Sequence, residues 1–110
     1  MDAASARDLL LALPGITEQA HFNKQAFRGL TPKGKPSKIF LTLWVEENRA
    51  VLMLDQEAQA ELHARHPLIF FPVPNKWGEK GATFVELSKA SSALFEQGLR
   101  TAMRLRGCGQ

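Results

Sequence analysis

Apolar residues return at helical spacing at Ala6, Leu9, Leu10 and Leu13, and Pro14-Gly15 ends the helix they predict. Ser5, followed three residues later by Asp8, reads as its capping pair. A short strand is expected from Gln25 to Leu30, then a turn-rich loop from Thr31 to Ser37. In the next strand Ile39, Leu41, Leu43 and Val45 alternate with Phe40, Thr42 and Trp44, so both faces are largely apolar and each is at least partly covered. Glu46-Glu47-Asn48 forms the turn, with Asn48 suited to a left-handed backbone, and the chain returns through Ala50–Leu54. Asp55 caps a short helix that must stop near Arg65, because Pro67 disfavours helical geometry at His66.

The stretch from Leu68 to Pro74 holds Pro72 and Pro74, which lack an amide donor, so any strand there lies at a sheet edge. Asn75–Gly81 reads as a loop before a strand at Ala82–Leu87. A last helix from Ser91 to Arg106 aligns Phe95, Leu99, Ala102 and Met103 on one stripe and ends at Gly107. Gly98 in its middle costs about 1 kcal/mol relative to alanine. The expected architecture is a single α+β domain over residues 1–110: an antiparallel sheet of about five strands with an N-terminal, a short middle and a C-terminal helix packed on it.

Composition narrows the class without naming a reaction. The 110 residues are 45% hydrophobic and 23% charged, ordinary for a globular chain and unlike a disordered one. Cys108 is the sole cysteine, which excludes an internal disulfide and fits a reducing cytoplasm. Asp2 and Asp8 stand where a secretory leader would be basic, and no apolar run approaches membrane-spanning length, so a cytoplasmic location is expected. The net charge of +3 is unevenly laid out: residues 23–38 carry five bases and no acid, and residues 75–110 carry six bases against three acids. Residues 39–74, between them, are acidic.

Gly29–Lys35 fits the first seven positions of a phosphate-cradling G-x-x-x-x-G-K loop, but Pro36 supplies no hydroxyl and a strand follows where a helix is required. His63 and His66 lie three apart at a helix end with no third ligand, His21 has no partner, and nothing orients a base toward Cys108. The carboxylates read as caps and solvated groups. No enzyme, cofactor or metal is expected from these patterns. Trp44 is expected in the core, and Trp77, between Lys76 and Lys80, is expected to plug the core's end, the other option being a stacking surface. If the two strand pairs around these loops form hairpins, their tips carry Lys33, Lys35 and Lys38 on one and Lys76 and Lys80 on the other. Lysines so placed neutralise phosphates without reading bases.

The order LALPG at Leu11–Gly15, then His21 to Arg28, Lys38-Ile39-Phe40, Arg49–Leu54, Phe71–Pro74 and Trp77-Gly78 resembles the MmcQ/YjbR family of small bacterial proteins over roughly residues 7–105. The resemblance implies a frataxin-like (YjbR/CyaY-like) α+β fold and a DNA-binding role through a double wing, with no active site to carry over. Lys38–Phe40 and Phe71–Gly78 match it as structural landmarks. The loop at Thr31–Ser37 departs from it by being longer and more basic. The iron binding that a frataxin-like fold would imply lacks its acidic ridge, since the first helix offers only Asp2 and Asp8. The expectation is therefore a non-enzymatic protein binding double-stranded DNA through Lys24, Arg28, Lys33, Lys35, Lys38, Lys76 and Lys80, with Trp77 stacking. The alternative is a protein- or small-molecule-interaction module built on Phe70–Trp77. The oligomeric state is left open.

Overall fold

The alternating run centred on Leu43 becomes an inner strand of a six-stranded antiparallel sheet in the computed structural model, which describes residues 1–108. The elements are α1 (Ala3–Leu11), β1 (Thr17–His21), β2 (Lys24–Arg28), β3 (Leu41–Trp44), β4 (Arg49–Met53), α2 (Gln56–Arg65), β5 (Phe70–Pro72), α3 (Lys76–Glu79), β6 (Ala82–Glu86) and α4 (Ser92–Leu105), with a 3₁₀ turn at Leu87–Lys89. The strand order is β1-β2-β3-β4-β6-β5. The strand beyond the expected five is β1, paired with β2 from Thr17 opposite Arg28 to His21 opposite Lys24. Its residues are mostly exposed, so no apolar alternation marks it. As expected from its prolines, β5 is an edge strand.

Local chemistry fixes most boundaries. Asp55 accepts from the Ala58 amide and Ser91 from the Leu94 amide, so α2 and α4 start where their caps direct. The start of α1 differs: Asp2 accepts from Ser5 N at 2.8 Å, which puts Ser5 inside the helix and leaves no Ser5–Asp8 capping pair. Asn48 has φ 53, the left-handed turn residue its sequence suggests, and its Oδ1 also accepts from Ala3 N at 2.8 Å. One turn residue thus anchors the first helix to the β3–β4 hairpin.

The two faces of the sheet are covered unequally. On one, Phe27, Leu41, Leu43, Leu52, Phe70 and Val85 pack against α1, α2 and α4 through Ala6, Leu10, Leu62, Phe95, Leu99 and Met103. On the other, Val51, Val73, Ala82 and Phe84 form a smaller cluster with the half-buried Trp44, Met53 and Phe71 and no long helix above them. Trp44 therefore belongs to this second face, its Nε1–H donating to Thr42 Oγ1 at 3.1 Å and its ring edge-on to Phe84.

Gly98 is where α4 comes closest to the sheet. A Cβ there would lie 2.9 Å from Leu52 Cδ1 and 3.1 Å from Phe70 Cε1. Gly98→Ala gains about 1 kcal/mol of helix propensity but forces two core side chains to move, so a net loss of about 1–2 kcal/mol is expected. The urea midpoint measures it, and a higher midpoint would contradict this packing.

Of the ion pairs that tie separate segments together, two depress a glutamate. Arg7 binds Glu18 at 2.7 Å and Arg49 binds Glu86 at 2.9 Å. Hydrogen bonds from these guanidinium groups hold both glutamate carboxyls below their ordinary range. A carboxyl depressed in the folded state contributes stability above its unfolded pKa and loses it as pH falls through the folded value. Stability is thus expected to fall below about pH 4.5. In the double variant Glu18→Gln/Glu86→Gln the urea midpoint should fall less on acidification than in the wild type; an unchanged acid limb would contradict the assignment.

Candidate nucleic-acid interface

Strand polarity decides where the two basic loops emerge. β2 ends at Arg28 where β3 begins, with Phe27 opposite Leu41. β4 ends beside them, and its Met53 lies opposite Ala82, the first residue of β6. β5 ends at Pro72 opposite Thr83. The loop from 29 to 40 and the segment from 73 to 81 therefore leave the same end of the sheet, on either side of β4.

The first of these is an ordered ribbon. Leu30 bridges Pro36, Thr31 N donates to Lys35 O at 2.8 Å, and Gly34 turns the tip with φ 78. The buried Ser37 hydroxyl accepts from Gly29 N at 3.0 Å and donates to Lys38 O at 2.7 Å, locking the base. Lys33, Lys35 and Lys38 are exposed. The Gly29–Lys35 motif runs on toward β3 with no helix at its lysine, so it forms no phosphate cradle of the P-loop type.

The second segment is not the plain loop its composition implies. Asn75 Oδ1 accepts from Trp77 N at 2.9 Å and Gly78 N at 3.1 Å, nucleating the single turn α3. The buried Gln59 amide donates to Gly78 O and Ala82 O, both at 2.9 Å, and clamps that turn to the sheet. Gly78 meets Val73 so closely that a Cβ would lie 1.6 Å from its carbonyl oxygen. This backbone contact seals the core's end, and Trp77 is turned outward, 69% exposed, with Lys80 Nζ 5.6 Å from its ring centroid. The expected Trp77 plug is thus replaced by Gly78, and Trp77 is left as an available aromatic face.

The predicted cationic residues divide into two groups. Lys33, Lys35, Lys38, Lys76 and Lys80 are exposed and, among the described residues, form no ion pair; Glu79 and Asp55, which follows β4 and lies against Gly81, are acids at the same end. Lys24 is half-buried, paired with Glu47 at 3.3 Å and placed over the Trp44 ring at 4.1 Å. Arg28 donates to Gln19 Oε1 at 3.1 Å and Ser37 O at 3.0 Å. The fold therefore gathers five lysines at one end and uses Lys24 and Arg28 as internal ties.

His63 and His66 are half-buried rather than free: His63 Nδ1 is 2.7 Å from Phe70 O, and His66 packs edge-on to Phe70. Cys108 packs on the core beside Gly29, where a Cβ would come within 2.7 Å of its Sγ. Among the described residues no group of three or more His, Cys, Asp or Glu could hold a metal ion, and no helix is long and apolar enough to cross a membrane.

The less covered face carries a groove of about 620 Å³ that extends from the β1–β2 turn at Phe22 to the two basic segments, which contribute Lys38 and Trp77. Its side chains come from β1, β2, β3, β4 and β6, from the segment after β5 and from Arg106 after α4, positions too far apart in sequence to form a local pattern. In comparisons with known proteins the chain matches no family model, no curated protein and no solved structure.

Proposed function

We propose that this is a non-enzymatic, cytoplasmic DNA-binding protein that grips the phosphate backbone of a duplex with its two lysine-bearing tips. The observation that carries the reading is the emergence of both tips from one end of the sheet, with Lys33 and Lys35 on one, Lys76 and Lys80 on the other, and Lys38 at the base between them. Unpaired ammonium groups at protruding positions displace condensed counterions from DNA and carry no base code. Trp77, outward beside Lys80, adds a stacking or packing face. The MmcQ/YjbR resemblance and its double-wing arrangement point the same way. Fluorescence anisotropy with a labelled duplex tests it. Five phosphate contacts give a slope of log K against log salt of about −4.5, with scrambled sequences bound alike. Binding that ignores salt, or none at low salt, would overturn the proposal.

An interaction module on Phe70–Trp77 is left with less surface, because Phe70 and Val73 are buried. Complexes that survive high salt and disappear in Trp77→Ala would favour that module over DNA.

A further inference from the structure

Beyond the DNA reading, we infer that the groove on the less covered face is a binding site for an amphipathic organic anion, an elongated apolar molecule with one carboxylate or sulfonate head. Its floor is apolar, built from Trp44, Val51, Met53, Val73 and Ala82. A phosphodiester chain would lose its hydration there without compensation, whereas a hydrocarbon or aromatic body gains by leaving water. The volume of about 620 Å³ suits a small organic ligand. Strands of four and five residues at about 3.3 Å per residue make a floor roughly 13–16 Å long.

Charge decides the head group. The ionisable side chains lining the groove are His21, Lys24, Lys38 and Arg106, and no carboxylate lines it among the described residues. Glu47 already neutralises Lys24, so Lys38 and Arg106, which form no ion pair among the described residues, supply the remaining charge. Arg106 is the second, independent indication. Its Nε is buried and has no hydrogen-bond partner among the described residues. The Arg106 side chain lines the groove and, with no acceptor of its own among the described residues, is free to pair with an anionic head. Lys38 and Arg106 also belong to one corner of the molecule. Cys108, two residues beyond Arg106, packs beside Gly29, whose carbonyl accepts from Ser37 N next to Lys38. At the opposite end Phe22 is 94% exposed and held at φ 59, a strained placement for an aromatic residue that sets its ring at the groove's mouth.

The test uses two probes that differ in charge, 1-anilinonaphthalene-8-sulfonate and neutral N-phenyl-1-naphthylamine. Occupancy is read from probe emission and from the protein's two tryptophans, Trp44 and Trp77, both of which line the groove. The sulfonate should bind one per chain, about tenfold or more tighter than the neutral probe. Lys38→Gln and Arg106→Gln should each remove most of that preference while leaving the neutral probe's affinity in place, and Met53→Trp should block both probes. Lys38 is exposed and forms no ion pair, so its variant stays informative even if Arg106→Gln folds poorly. Equal affinity for the two probes, a preference that survives both cation variants, or no binding of either would overturn the inference. Lys33→Gln/Lys35→Gln should leave probe binding intact, so loss of DNA binding and loss of this site are separable.

Discussion

Gly78→Ala is expected to cost about 3 kcal/mol or more, lowering the melting temperature by roughly 10–20 °C for a domain of this size. A Cβ at Gly78 would sit 1.6 Å from Val73 O and 2.6 Å from Val73 C. Those are backbone atoms of the segment leaving β5, so no side-chain rotation relieves the overlap. Either α3 lifts from the sheet or Val73 leaves the second cluster. Lifting α3 also breaks the bonds from Gln59 to the Gly78 and Ala82 carbonyls and strands a buried amide. Gly34→Ala is the control. Its φ of 78 imposes backbone strain, but no atom lies within 4 Å of the added Cβ. Its loss should be about 1–2 kcal/mol, confined to the first tip. Thermal melts of the two variants decide the matter; a Gly78→Ala midpoint equal to wild type would show that α3 does not pack on Val73 in this way.

What the sequence made legible is what is decided within a few residues. Asp55, Asn48 and the prolines after Phe71 announce their roles because a cap, a turn or a missing donor acts locally. The strand β1 escaped notice because an edge strand whose side chains are mostly in water needs no apolar alternation; its pairing with β2 is made by the backbone. The turn α3 escaped because four residues around Gly78 give no period, and its helix depends on Asn75 capping and the Gln59 clamp. Trp77 points outward for the same reason: its neighbour, not its own hydrophobicity, meets the core. The clustering of lysines was only conditional on hairpins forming, and it required the insertion of β4 between the two hairpins to settle which end each tip leaves. The groove and Arg106 lay beyond any local pattern, because a residue after the last helix and side chains from five strands converge there.

The second large effect concerns DNA. If both tips hold one duplex, removing the charges of Lys33 and Lys35 should flatten the salt slope by about 1.8, and removing those of Lys76 and Lys80 should do the same. With Lys38 alone remaining, affinity near 0.1 M salt should fall on the order of a thousandfold or more. These four side chains are exposed and form no ion pairs among the described residues, so glutamine at each should leave folding unchanged. Lys24→Gln behaves differently, because that charge already faces Glu47 and lies over Trp44; it should shift stability more than DNA affinity.

The most direct measurement is therefore the salt dependence of duplex binding by four proteins: wild type, Lys33→Gln/Lys35→Gln, Lys76→Gln/Lys80→Gln, and the combination. Slopes of about −4.5, −2.7, −2.7 and −0.9 are expected in that order. A wild-type slope retained by either pair variant would contradict the claim that both tips engage the same polyanion.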